Sequence, residues 1–163
     1  MRKVFGRATA AVALVLGLLV STALPSQAAT GQWSDTQNTN RPVIYQTNLQ
    51  YEGAAFRVPT NVPSTAQTGL VQYNWRLLDQ PPAGTTLIVW LCRGPVGTTN
   101  QCLTAYQGTP TKSGSASWDL TGSGLAANST WHPMIALAAP TTYVLKPYPV
   151  NSSLYSIFVN YTY

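Results

Sequence analysis

Hydrophobic and polar positions alternate strictly in two places along this chain. In residues 69–78, Val71, Tyr73, Trp75 and Leu77 fall on one side, with Gln72, Asn74 and Arg76 on the other. In residues 154–163, Tyr155, Ile157, Val159, Tyr161 and Tyr163 share one side up to the last residue. Period-2 alternation is the mark of a strand with one face on a core and one towards water. A strand this regular at the chain end is expected to dock within a sheet. Residues 42–51 alternate as well (Val43, Tyr45, Thr47, Leu49 and Tyr51 against Ile44, Gln46, Asn48 and Gln50) and predict one continuous strand.

Residues 85–93 read differently. The run from Thr85 to Cys92 is almost wholly apolar and β-branched or aromatic, which predicts a strand covered on both faces. It follows a turn at 79–84, where Pro81 and Pro82 remove backbone donors and Gly84 is suited to positive φ. Shorter strands are expected at 32–36, 101–107, 115–120 and 130–138, with a weaker one at 143–146. Pro133 implies an edge or a bulge within 130–138. Residues 58–68 hold Pro59 and Pro63 and read as a connection, while 121–129 read as a Gly/Ser/Asn loop. No helical period of useful length occurs after residue 28. Seven to nine strands with turn signals about every ten residues predict an all-β fold. The expected form is a single-domain antiparallel β-sandwich, immunoglobulin-like or similar. An eight-stranded transmembrane barrel is the competing reading, but 85–92 lacks the apolar-out, polar-in dyad such a strand needs.

The first residues change the account of charge. Arg2, Lys3 and Arg7 precede an apolar stretch at 8–20, and the segment closes on a small-x-small site at Ala28. That is the layout of a secretory signal cleaved after Ala28, which makes the mature domain residues 29–163, exported to the periplasm or the medium. The apolar stretch is shorter than the ~20 residues needed to span a bilayer, so no membrane insertion is expected after cleavage. Six basic residues then remain against four carboxylates, a net charge of +2. No basic cluster survives, and nucleic acid is not an expected partner, because that binding neutralises several phosphates together. Cys92 and Cys102 are the only cysteines. In an oxidising compartment they are expected to form a structural disulfide across the turn carrying Gly94, Pro95 and Gly97.

Reactive chemistry is poorly supplied. His132 is the single histidine, and it reads as a strand residue with a satisfied hydrogen bond. No nucleophile elbow occurs, and four carboxylates offer little chance of a glycosidase pair. One histidine and two bonded cysteines leave no metal-ligand cluster, and no cofactor is expected. The expectation is a protein without enzymatic activity. Aromatic residues are the surplus: five Trp and nine Tyr. Trp75 and Trp90 lie within strong strands and read as core. Trp33, Trp118 and Trp131 lie nearer element ends and are the candidate binding aromatics, able to stack on a sugar or anchor a protein.

The order of these features resembles the FlhE family of flagellar periplasmic proteins. The matching residues are Gly31-Gln32-Trp33, Tyr73-Asn74-Trp75-Arg76-Leu77, the Gln80-Pro81-Pro82-Ala83-Gly84 turn, Cys92 with Cys102-Leu103, Gly108, and 156–161. The resemblance implies a non-enzymatic all-β domain that binds a protein partner around the flagellum, where such proteins are thought to limit proton leakage through the export apparatus. Carbohydrate or a cell-surface protein, recognised through exposed aromatics, is the alternative. The loops at 93–100 and 121–128 are longer than the family pattern leads one to expect.

Overall fold

The computed structural model describes residues 28–39, 41–146 and 149–163, so the expected signal segment lies almost wholly outside the described residues. Among the described residues nine strands form two antiparallel sheets: β1 (Thr30–Gln37), β2 (Val43–Ile44), β3 (Gln50–Glu52), β4 (Gln67–Leu77), β5 (Thr86–Arg93), β6 (Cys102–Gly108), β7 (Ser113–Asp119), β8 (Trp131–Ala138) and β9 (Val150–Thr162). The first sheet has the order β1-β9-β4-β7, with β2 also paired to β9; the second has the order β3-β8-β5-β6. This is an open sandwich, as expected, with no closure into a barrel.

The two alternating segments became the centre of the first sheet. Strand β9 lies between β1 and β4, and Trp33 is paired to Val159 on one side while Tyr73 is paired to Ile157 on the other. Val71, Tyr73, Trp75 and Leu77 point into the core together with Tyr155, Ile157, Val159 and Tyr161; the alternation ends at Tyr163, which is exposed. Facing them are Leu87, Val89 and Leu91 of β5 and Trp131, Ile135 and Leu137 of β8. Each such side chain contributes roughly 1.5–3 kcal/mol by leaving water, so two interlocked faces of this size account for the fold. Gly114 lies opposite Trp75 in the β4–β7 ladder, and the Trp75 ring lies where a Cβ would stand.

Four expectations need correction. Residues 42–51 are not one strand: Val43 and Ile44 pair with β9, whereas 50–52 pair with β8, so the chain changes sheets between them. The switch occurs at Asn48, whose φ of 63° is a conformation no strand residue adopts. Residues 85–92 are not covered equally on both faces, for Leu87, Val89 and Leu91 are buried while Ile88 and Trp90 are only half-buried on the outer face. Trp90 is therefore not core. Strand β8 is not at an edge; it runs between β3 and β5. Pro133 is tolerated because its carbonyl accepts from Gly53 N (2.9 Å), on the side where β3 has already ended at Glu52. In antiparallel pairing N–H and C=O of one residue face the same neighbour, so the donor that Pro133 lacks would have faced Gly53 and not β5. Residues 143–146 make only an isolated bridge, Gln46 to Val144.

Candidate functional site

The disulfide between Cys92 and Cys102 is present, joining the paired ends of β5 and β6. It closes the 93–101 loop, in which Gly94 (φ 109°) and Gly97 (φ 97°) take the left-handed backbone that the sequence reserved for them. Further bonds hold the loop down. Gly94 N donates to Thr130 O (2.8 Å), Gly97 N donates to Glu52 Oε2 (2.5 Å), and His132 Nδ1 meets Gly94 O at 3.0 Å. A carbonyl can only accept, so Nδ1 carries the hydrogen. His132 thus has the satisfied strand role expected at one nitrogen. The other, Nε2, is buried without a hydrogen-bond partner and lies 3.9 Å from Glu52 Oε2. The structure does bring His132 and Glu52 together, but beneath the loop, where His132 has no exposed surface.

Of the three tryptophans put forward as binding aromatics, the structure buries two and half-buries the third. Trp33 is 4 % exposed and Trp131 is 1 % exposed, which leaves neither face free to stack on a ligand. Trp33 is a tie instead: its Nε1 donates to Ala127 O (2.8 Å), anchoring the 120–130 loop across the end of the sandwich. Trp131 points between the sheets, and Trp118 is half-buried against the same core. Nearness to a strand end was a poor guide because loops close those ends.

The exposed apolar surface lies elsewhere. Tyr45 (57 % exposed), Leu49 (48 %), Tyr143 (40 %) and Val144 (52 %) all belong to the corner where the chain crosses between sheets. Two segments form a short ribbon there. Leu145 N donates to Tyr45 O (2.8 Å) and Thr47 N donates to Tyr143 O (3.0 Å), while the Thr47 hydroxyl accepts from Tyr143 N (3.0 Å). Asn48 locks the adjoining turn. Its Nδ2 donates to Ala139 O (3.0 Å) and to Thr142 Oγ1 (3.1 Å), its Oδ1 accepts from Ala139 N (2.9 Å), and its backbone N donates to Leu137 O (2.7 Å). The Tyr45 and Tyr51 rings lie 6.2 Å apart at a tilt of 55°.

Beside the ribbon is an open cleft of about 530 Å³ lined by Tyr143, Val144, Lys146, Asp79, Gln80 and Pro149, among others. Asp79 is fixed there by Asn151, whose backbone N (2.9 Å) and Nδ2 (3.0 Å) both donate to its Oδ2. Those bonds, with Lys112 as a minor contributor, hold its carboxyl below the usual range. Clustered tyrosine and aliphatic surface on a hydrogen-bonded ribbon, with one anion and one cation beside it, has the composition of a protein-recognition patch. Reading 42–51 as a single strand hid it, since a continuous strand leaves no corner at Tyr45 and Leu49. An Asn within an alternating run was the available signal, because Asn tolerates positive φ.

No protein-family model and no curated protein sequence matches this chain. Among solved structures it is similar to a protein described as the crystal structure of FlhE, with a TM-score of 0.56 and 19 % sequence identity, over 83 % of this chain and all of that one. At that identity the likeness is one of fold.

Proposed function

We propose that this protein acts by binding a protein partner through the Tyr45–Tyr143 corner rather than by catalysis, and that the partner belongs to the flagellar export apparatus. The observation that carries the binding reading is the group of four large apolar side chains held in water by a backbone-paired ribbon, where a sandwich with no partner gains nothing from exposing them. Likeness in fold to FlhE supports the flagellar assignment, and the disulfide is compatible with a periplasmic location.

The test is genetic. Deleting the gene in its native host is expected to alter swarming or cytoplasmic pH, and wild-type protein is expected to restore both. Protein carrying Tyr45→Ser with Val144→Asp is expected to be exported and folded yet fail to restore them, because a buried aromatic anchor carries about 2 kcal/mol or more of binding energy. A host without flagella, or unchanged motility and pH in a flagellated one, ends the flagellar assignment. Full rescue by the double variant ends the role of the corner.

A further inference from the structure

Between the start of β6 and the 120–127 loop lies a pocket of about 240 Å³. Its walls are Leu103, Leu120 and Leu125, and Trp131 contributes from between the sheets. Arg93 and Gln101 stand at its rim. The rim is stiff: Cys102 is crosslinked to Cys92, and Arg93 Nε donates to Gln101 Oε1 (2.7 Å), which places the guanidinium.

One polar group there lacks a hydrogen-bond partner and another lacks a counterion. Among the described residues no carboxylate lies within ion-pair distance of Arg93, a partly buried residue beside apolar walls. The Trp131 indole N–H is buried with no acceptor. A protein ordinarily satisfies a buried donor such as that of Trp131, since one left unmade costs about 1–3 kcal/mol. The volume is enough for a small organic molecule to sit with one side open to water.

We propose that this pocket binds a small carboxylic acid with a compact apolar body, such as an aromatic or branched aliphatic monocarboxylate. The body displaces water from the leucine walls, and the carboxylate pairs with the terminal nitrogens of Arg93, whose fork matches it in two parallel bonds. Nothing in this assignment depends on the tyrosine corner, which lies in the 45–51 and 143–146 segments.

Phenylacetate is the probe, with phenylacetamide as its uncharged counterpart, titrated into the mature protein and followed by saturation-transfer NMR and tryptophan fluorescence. Phenylacetate is expected to bind, with at least about tenfold weaker binding for the amide and for Arg93→Gln, the loss of one charge-assisted pair. Leu103→Trp is expected to fill the pocket and abolish binding of both probes. Should that variant fold poorly, Leu125→Phe serves the same purpose, with thermal unfolding as the check on each. Absence of transfer to wild-type protein at about 10 mM phenylacetate, ten times the concentration that half-fills a site of millimolar Kd, overturns the proposal. So does an unchanged affinity in Arg93→Gln.

Discussion

Tyr73 and Tyr155 are stacked neighbours at the centre of the core, their ring centroids 6.1 Å apart and their planes within 15°. Both are completely buried, yet their hydroxyls differ. The Tyr155 hydroxyl lies 2.8 Å from Ser152 Oγ, which itself donates to Pro42 O (2.7 Å). The Tyr73 hydroxyl has no partner. Removing it as Tyr73→Phe keeps the ring and deletes an unmade hydrogen bond whose cost is about 1–3 kcal/mol. That variant is expected to be at least as stable as wild type at pH 7 and up to that much more stable. Tyr155→Phe is expected to lose about 1 kcal/mol, the ordinary worth of a hydrogen bond.

Alkaline pH supplies the second half of the test. Burial pushes the pKa of both phenols up, with Tyr155 adding to the effect on Tyr73 and the Ser152 contact opposing it on Tyr155. A phenol held neutral in the fold gives its full stability below the unfolded value of about 10, and that stability is lost as pH rises towards the higher folded value. Two such groups together cost roughly 3 kcal/mol per pH unit, or about 4 kcal/mol between pH 10 and 11.5, a large share of an ordinary domain's stability. Urea unfolding at pH 7, 10 and 11 measures this, and Tyr73→Phe is expected to halve the alkaline slope. Absorbance at 295 nm is expected to show these two tyrosines ionising only as the protein unfolds. If every tyrosine ionises in one step near pH 10 with the fold intact, or if Tyr73→Phe is clearly destabilising at pH 7, the reasoning fails.

Other substitutions follow from the same packing. Replacing Cys92 and Cys102 by serine is expected to cost roughly 2.5–3 kcal/mol for a crosslink spanning 10 residues, read from the shift in urea midpoint. Gly114→Ala places a methyl group in the Trp75 ring and is expected to cost about 1–3 kcal/mol or to force that ring out of the core, visible as altered near-ultraviolet circular dichroism. The carboxyls of Asp79 and Asp119 are held low by hydrogen bonds from Asn151 and Thr121 respectively. A depressed carboxyl contributes above its unfolded value of about 4 and loses that contribution as pH falls through the folded one. Thermal unfolding is therefore expected to shift downwards between about pH 4 and pH 2, and less so in Asp79→Asn.

The strands most legible in the sequence are those with the plainest environment. Val71 to Leu77 and Tyr155 to Tyr161 alternate because each strand meets core on one side and water on the other, and the residues needed to satisfy that arrangement are local. The 79–84 turn was legible for a similar reason, since Gly84 does take positive φ (80°). The sheet change at Asn48 was not. It is enforced by bonds to Ala139 and Thr142, more than 90 residues away, and an alternating pattern says nothing of partners at that distance. The tryptophans failed likewise: Trp33 is buried by its bond to Ala127, 94 residues on.

These failures share a location. Where a strand runs between two well-formed neighbours, propensity, alternation and burial agree, and the sequence specifies the structure twice over. At the corner of Tyr45 and Tyr143 and at the rim of Arg93 they disagree. Apolar side chains are left in water at the first, and at the second a partly buried arginine has no counterion among the described residues. A fold selected only for stability has no reason to keep either conflict, because ordinary substitutions, a serine for Tyr45 or a glutamine for Arg93, remove each at no cost to the core. Conflicts of that kind are the expected trace of binding, whose energy is realised only when a partner or ligand completes the surface.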